Sequence, residues 1–186
     1  MKKMLSILIF CLFLANYAHG QTINKLDEKN GFKDFKLGDS YTKWSNYLTF
    51  DGTWKDGSKA YVYTGNCCNT VFEYDIESII LRFYSEKLVA IILTTKKFQE
   101  SFDVSGQYTN WRSKDFESIK TSFSILFGPP TGLDKGENTG TITHSWIGKK
   151  VVLFSVYEYL GTISGDRQKI IIGDLNFSNS DIENGF

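Results

Sequence analysis

The strongest signal along the chain is an alternation of apolar positions. In "ESIILRFYSEKLVAIILTTKKF", residues 77–98, Ile79, Leu81 and Phe83 alternate with Ile80, Arg82 and Tyr84, and a polar Ser85-Glu86-Lys87 stretch interrupts the run. Leu88 to Leu93 then follows as a continuous apolar segment. Alternation with period two marks a strand with two different faces, and an unbroken apolar run marks one buried on both. The pair predicts a β-hairpin whose return strand is central in a sheet. A different period governs "SKDFESIKTSFSILFGPP": Phe116, Ile119, Phe123, Leu126 and Phe127 fall on one stripe, Ser113 is placed to cap it, and Gly128 with Pro129-Pro130 forbids continuation. The spacing predicts a helix over about 114–127. A shorter version occurs earlier, where Asp39 or Ser40 can cap a helix over 40–48 carrying Tyr41, Trp44, Tyr47 and Leu48 on one face.

Turn chemistry divides the rest. Asp51-Gly52 and Asp56-Gly57 read as turns, Ala60 to Thr64 as a strand, and "TGLDKGENTGT" as a Gly-rich loop. "ITHSWIG", "KKVVLFSVYEYL" and "KIIIGDL" read as later strands, with a hairpin turn at Gly148-Lys149-Lys150. The polar "QESFDVSGQYTNWR" connects two halves, about 32–98 and 111–176, that share the order helix, turn-rich loop, antiparallel strands. The expected class is α+β: an antiparallel sheet with two helices packed on one face.

The first twenty residues change the picture of where such a domain works. "MKKMLSILIFCLFLANYAHGQT" has two lysines, an apolar run from Met4 to about Ala15, and small residues at Ala18 and Gly20. That is the layout of a cleaved secretory signal, with the apolar run too short for the ~20 residues of a membrane span. A single exported domain over 21–186 is expected, periplasmic or secreted in a bacterium, without a transmembrane segment after cleavage. Loss of Lys2 and Lys3 takes 21 basic against 21 acidic residues to 19 against 21. A near-neutral chain lacks the basic footprint of a nucleic-acid binder. Aromatics at 16% and only two prolines favour an ordered, strand-rich fold.

Against this frame, "KLGDSYTKW" followed by the hairpin "LRFYSEKLVAIIL" resembles the small exported domains of the outer-membrane assembly lipoprotein BamE and the tandem-repeat β-lactamase inhibitory protein. "LFGPP" followed by "THSWIG" is similar to a second copy of that unit, and the likeness covers about residues 32–160. It implies a helix-plus-sheet module that binds proteins and catalyses nothing. The matching motifs are structural, so no binding residues transfer. "GNCCN" has no counterpart in that pattern, and Cys11 is not set in a lipobox.

Candidate chemistry therefore concentrates in "YVYTGNCCNTVFEYD", residues 61–75. Cys67 and Cys68 are the only cysteines beyond the leader. Adjacent Cα atoms are ~3.8 Å apart, below the ~4.4–6.8 Å of ordinary disulfides, so a bond between them is strained. A vicinal disulfide, two packed thiols and an intermolecular bridge all remain open. A redox pair is disfavoured by the absence of C-x-x-C spacing. Tyr61, Tyr63, Phe72 and Tyr74 flank the pair, with Tyr61 and Tyr63 on one sheet face, either as core or as a patch a protein partner binds. His144 is the one histidine outside the leader, and a zinc site from Cys67, Cys68 and His144 would lack an identified fourth ligand. No catalytic residue, metal or cofactor is assigned. The expected function is non-catalytic binding of an unknown protein, of inhibitor, immunity or envelope-accessory type. The alternative is a small-ligand binder or enzyme using the Cys67-Cys68 loop and His144.

Overall fold

The computed structural model describes residues 23–96, 114–136, 141–159 and 166–177. The leader over 1–20 with Cys11, the Ser113 cap and the connection between the halves lie outside these residues. The described chain is a strand-dominated α+β fold built on one large antiparallel sheet.

A short helix α1 over 23–29 leads into a small hairpin, β1 (Gly31–Phe32) and β2 (Phe35–Lys36). Helix α2 (Tyr41–Trp44) follows, then β3 (Leu48–Thr53), β4 (Lys59–Tyr63), β5 (Thr70–Val71), β6 (Tyr74–Tyr84) and β7 (Lys87–Thr95). Helix α3 (Lys114–Phe127) begins the second part, with β8 (Gly132–Lys135), β9 (Thr141–Ile147), β10 (Val151–Tyr159) and β11 (Asp166–Asp174). The strands lie in the order β3-β4-β6-β7-β11-β10-β9-β8, with β5 added beside β6. Two four-stranded meanders thus meet where their last strands, β7 and β11, pair antiparallel through Ile91↔Ile172 and Leu93↔Ile170. β7 is central as its unbroken apolar run predicts, and Ser85 and Glu86 make the β6–β7 turn with φ of 47° and 64°.

The core follows from register. Leu81 of β6, Ile91 of β7, Ile172 of β11 and Leu153 of β10 are paired across neighbouring strands and belong to one buried cluster. Trp44 of α2 and Phe116, Ile119, Phe123 and Phe127 of α3 complete it. The alternate positions Ala90, Ile92, Val152 and Ile171 are also buried, so the central strands are apolar on both faces. Also away from the main cluster, Arg82 is 2% exposed, paired with Asp56, bonded to Ser58 Oγ at 2.8 Å and set 3.8 Å over the Trp54 ring. Asp27 of α1 ties this first helix to the β9–β10 turn by accepting the backbone N–H groups of Lys149, Lys150 and Val151. No helix among the described residues is long and apolar enough to cross a membrane.

Five expectations need correction. The early helix is one α-turn followed by a 3₁₀ turn over Ser45–Tyr47, which leaves Tyr47 51% exposed rather than on the apolar face. The Ser40 hydroxyl meets Thr42 Oγ1 instead of capping, and Asp39 accepts from Lys43 and Trp44. Asp51-Gly52 is not a turn but part of β3, where the register shifts between Phe50 and Gly52. Gly132 to Lys135, read as loop, forms the edge strand β8. Leu126 faces outward on α3, 39% exposed, while its neighbours on the predicted stripe are buried.

Candidate functional site: the loop between β4 and β6

Two tight hairpins create this region. In β1–β2 the turn is Lys33-Asp34, with Lys33 at φ 49°; in β5–β6 it is Phe72-Glu73, with Phe72 at φ 53°. Left-handed geometry matches the twist of two-residue hairpins, although side chains adopt it at some cost. Gly31 is required where it stands, because at φ 146° an added Cβ would run into the Phe35 carbonyl oxygen. Lys33 Nζ donates to Thr70 Oγ1 at 3.2 Å and links the two turns.

Tyr61 and Tyr63 do share a sheet face, where they are half-buried in an aromatic cluster. The Tyr61 ring lies 5.1 Å from Tyr41 and 5.9 Å from Phe83, and the Tyr63 ring meets Phe35 edge-on at 5.0 Å. These rings support the loop above them. The Tyr63 hydroxyl reaches Cys67 Sγ at 3.2 Å. Burial, helped by that bond, pushes the Tyr63 phenol up to about 12.

Both cysteines are free thiols, Cys67 half-buried and Cys68 buried. Cys68 sits at φ 70°. Burial, then its contact with Cys67, pushes its thiol up to about 11 against the pull of a backbone bond from Asp34. The Cys67 and Cys68 Sγ atoms and an Asp34 carboxylate oxygen all lie within 4.8 Å of one another. Asp34 was not visible as a candidate in the sequence, where it stands in "FKDF" far from the cysteines. His144 does not join them. It is buried on β9, five strands across the sheet from β4, with its ring 5.3 Å from Phe116 and 6.4 Å from Trp146.

Phe72 and Tyr74 belong to the other side of the loop. Tyr74 is half-buried beside Ser118 of α3, and burial raises its phenol. Phe72 is 40% exposed, with its ring 5.0 Å from Phe123. It stands at the lip of a cavity of about 160 Å³ between α1, β1, β5 and α3. Leu26, Phe32, Val71, Phe123, Phe127 and Ile170 make its wall, and Lys29, Lys33 and Leu126 also border it. An apolar cavity of about 150 Å³ elsewhere is large enough for benzene. The lining is drawn from five separate segments, which is why no local pattern announced it.

Neither protein families, nor curated proteins, nor solved structures give a match to this chain. What the loop can do follows from its geometry. Around it lie an apolar cavity bordered by two lysines, and a separate cluster of two thiols and a carboxylate.

Proposed function

We propose that this chain is an exported, non-catalytic protein-binding domain, periplasmic or secreted in a bacterium, of inhibitor, immunity or envelope-accessory type. In this reading α2 and α3 lie on one face of the sheet, and the partner docks where β5 and α3 meet. The observation that carries it is the 160 Å³ apolar cavity with Phe72 exposed at its lip and Lys29 and Lys33 beside it. An opening of that size suits one aromatic or large aliphatic side chain, and the lysines favour an acidic residue next to it. The BamE-like resemblance implies the same class of activity.

The test is affinity capture from the exported fraction with the wild-type domain beside Leu126→Trp, which places an indole at the cavity mouth on an exposed helix position. A protein retained by the wild type and lost by the folded variant supports the proposal, provided N-acetyl-phenylalanine competes for it. Equal retention by both sinks it. Export is checked separately: the amino terminus of the secreted protein should be Gln21, and retention of Met1 there would overturn that part.

A further inference from the structure

We propose that Asp34, Cys67 and Cys68 form a binding site for a thiophilic divalent cation of the zinc class. Three potential ligand atoms from two distant segments of the chain converge within 4.8 Å of one another, and among the described residues they are the one such group. In a tetrahedral zinc site with bonds of about 2.3 Å to sulfur and 2.1 Å to oxygen, donor atoms stand roughly 3.6–3.8 Å apart. A contraction of about an ångström or less brings these three to that spacing.

The surroundings favour chelation over the other chemistry open to a cysteine pair. No peptide bond among the described residues is cis, so the Cys67 and Cys68 Cα atoms are held ~3.8 Å apart, too close for an unstrained disulfide. A metal ion bridges the two sulfurs without forming that bond. Asp34 is fixed by the Lys33-Asp34 turn, which the Lys33–Thr70 bond holds against β5. Tyr63, immobilised among Phe35 and Trp44, directs its hydroxyl to Cys67 Sγ at 3.2 Å. Partners of this kind orient a ligand from outside the coordination sphere. Two sulfur donors select against magnesium and calcium, which take oxygen. Three protein ligands leave a fourth position for water or for a donor from a bound molecule. Binding releases the thiol protons to solvent as each sulfur becomes a thiolate, and no oxidant or reductant is involved.

The experiment uses the exported protein, reduced and freed of reductant, titrated with Co²⁺ as a spectroscopic probe and then with Zn²⁺. One equivalent of Co²⁺ should produce a thiolate-to-metal charge-transfer band together with the intense visible bands of tetrahedral cobalt, and Zn²⁺ should abolish both. Cys67→Ser and Cys68→Ser should each reduce or remove the charge-transfer band. Asp34→Asn, at an exposed position, should keep the circular dichroism of the wild type and weaken the affinity at least about 10-fold. That variant decides the matter if a serine variant fails to fold. Absence of the band in the reduced wild type, or Asp34→Asn binding as tightly as wild type, would overturn the proposal. So would a native mass lighter by two hydrogens with no metal bound, which indicates a vicinal disulfide.

Discussion

The two meanders are built alike and connected differently. In the second, residues 148–150 join β9 to β10, and Asp27 accepts the N–H groups of Lys149 and Lys150. In the first, residues 64–73 occupy the corresponding place between β4 and β6, and they contain Cys67, Cys68, β5 and Phe72. The core beneath differs as well. Under the second lie Trp146, Tyr157 and Phe116, packed by a helix of four turns, with the Trp146 indole donating to the Gly128 carbonyl at 2.8 Å. Under the first, a single helical turn leaves space that Phe35, Tyr41, Trp44, Tyr61 and Tyr63 fill with tilted and edge-to-face ring contacts. Where the connection is short the meander is scaffold; where it is long, groups with binding chemistry collect on it. Loops carry function because a rigid frame frees them from packing.

That contrast can be broken at its strongest point first. Trp146→Ala removes a fully buried indole and should cost about 3–5 kcal/mol in urea denaturation, enough to threaten the whole fold. Next is Asp56→Ala, which leaves Arg82 buried without its carboxylate and should cost about 3 kcal/mol by the same measurement, a penalty placed in the first meander. Asp27→Asn should be milder, about 1 kcal/mol, because the amide oxygen can still accept part of what the carboxylate did.

Acid denaturation sharpens the comparison further. Burial alone would raise the Asp27 carboxyl, but the N–H groups of Lys149, Lys150 and Val151 and the nearby Lys150 charge outweigh it and hold it below the ordinary value. Asp39 and Asp56 are likewise lowered against burial, by Lys43, Lys36 and Trp44 in one case and by Ser58 and Arg82 in the other. A carboxyl lowered in the folded state contributes stability above its unfolded pKa of ~3.9, and the contribution is lost as pH falls through the folded value. Urea midpoints measured from about pH 6 to about pH 3 should therefore fall, and Asp27→Asn should fall less steeply. The smallest effect belongs to the long connection: Phe72→Ala should stay within about 0.5 kcal/mol of wild type. Limited alkylation of the metal-free protein should modify Cys67 before Cys68, whose thiol is the more buried, and mass spectrometry of the tryptic peptides would read the order.

Legibility from sequence tracked the length of the periodic run. The β6–β7 hairpin and α3 were readable because many positions repeat one message, with Gly128 at φ 85° ending the helix as expected. Single dipeptides and single capping residues misled. Asp51-Gly52 was absorbed into a bulged strand, and the Asp39 carboxylate accepts from the Lys43 and Trp44 side chains rather than capping the helix. At the candidate site, the cysteines and Phe72 were visible as unusual local sequence. Asp34 and the cavity were not, because they arise only when two left-handed turns come side by side, and tertiary contact sets that arrangement.

The β7–β11 seam has a consequence in time. β7 lies inside the finished sheet, nearly every residue buried, yet its partner on one side is the last strand of the described chain. Until residues 166–174 arrive, the first meander presents its most apolar strand as an open edge, the kind of surface that recruits other chains. Contacts spanning this much sequence also form slowly. The order of events is thus written into the topology: the sheet closes after the final strand is delivered, and a chain stopped before Asp166 exposes an adhesive edge instead of a half-built domain.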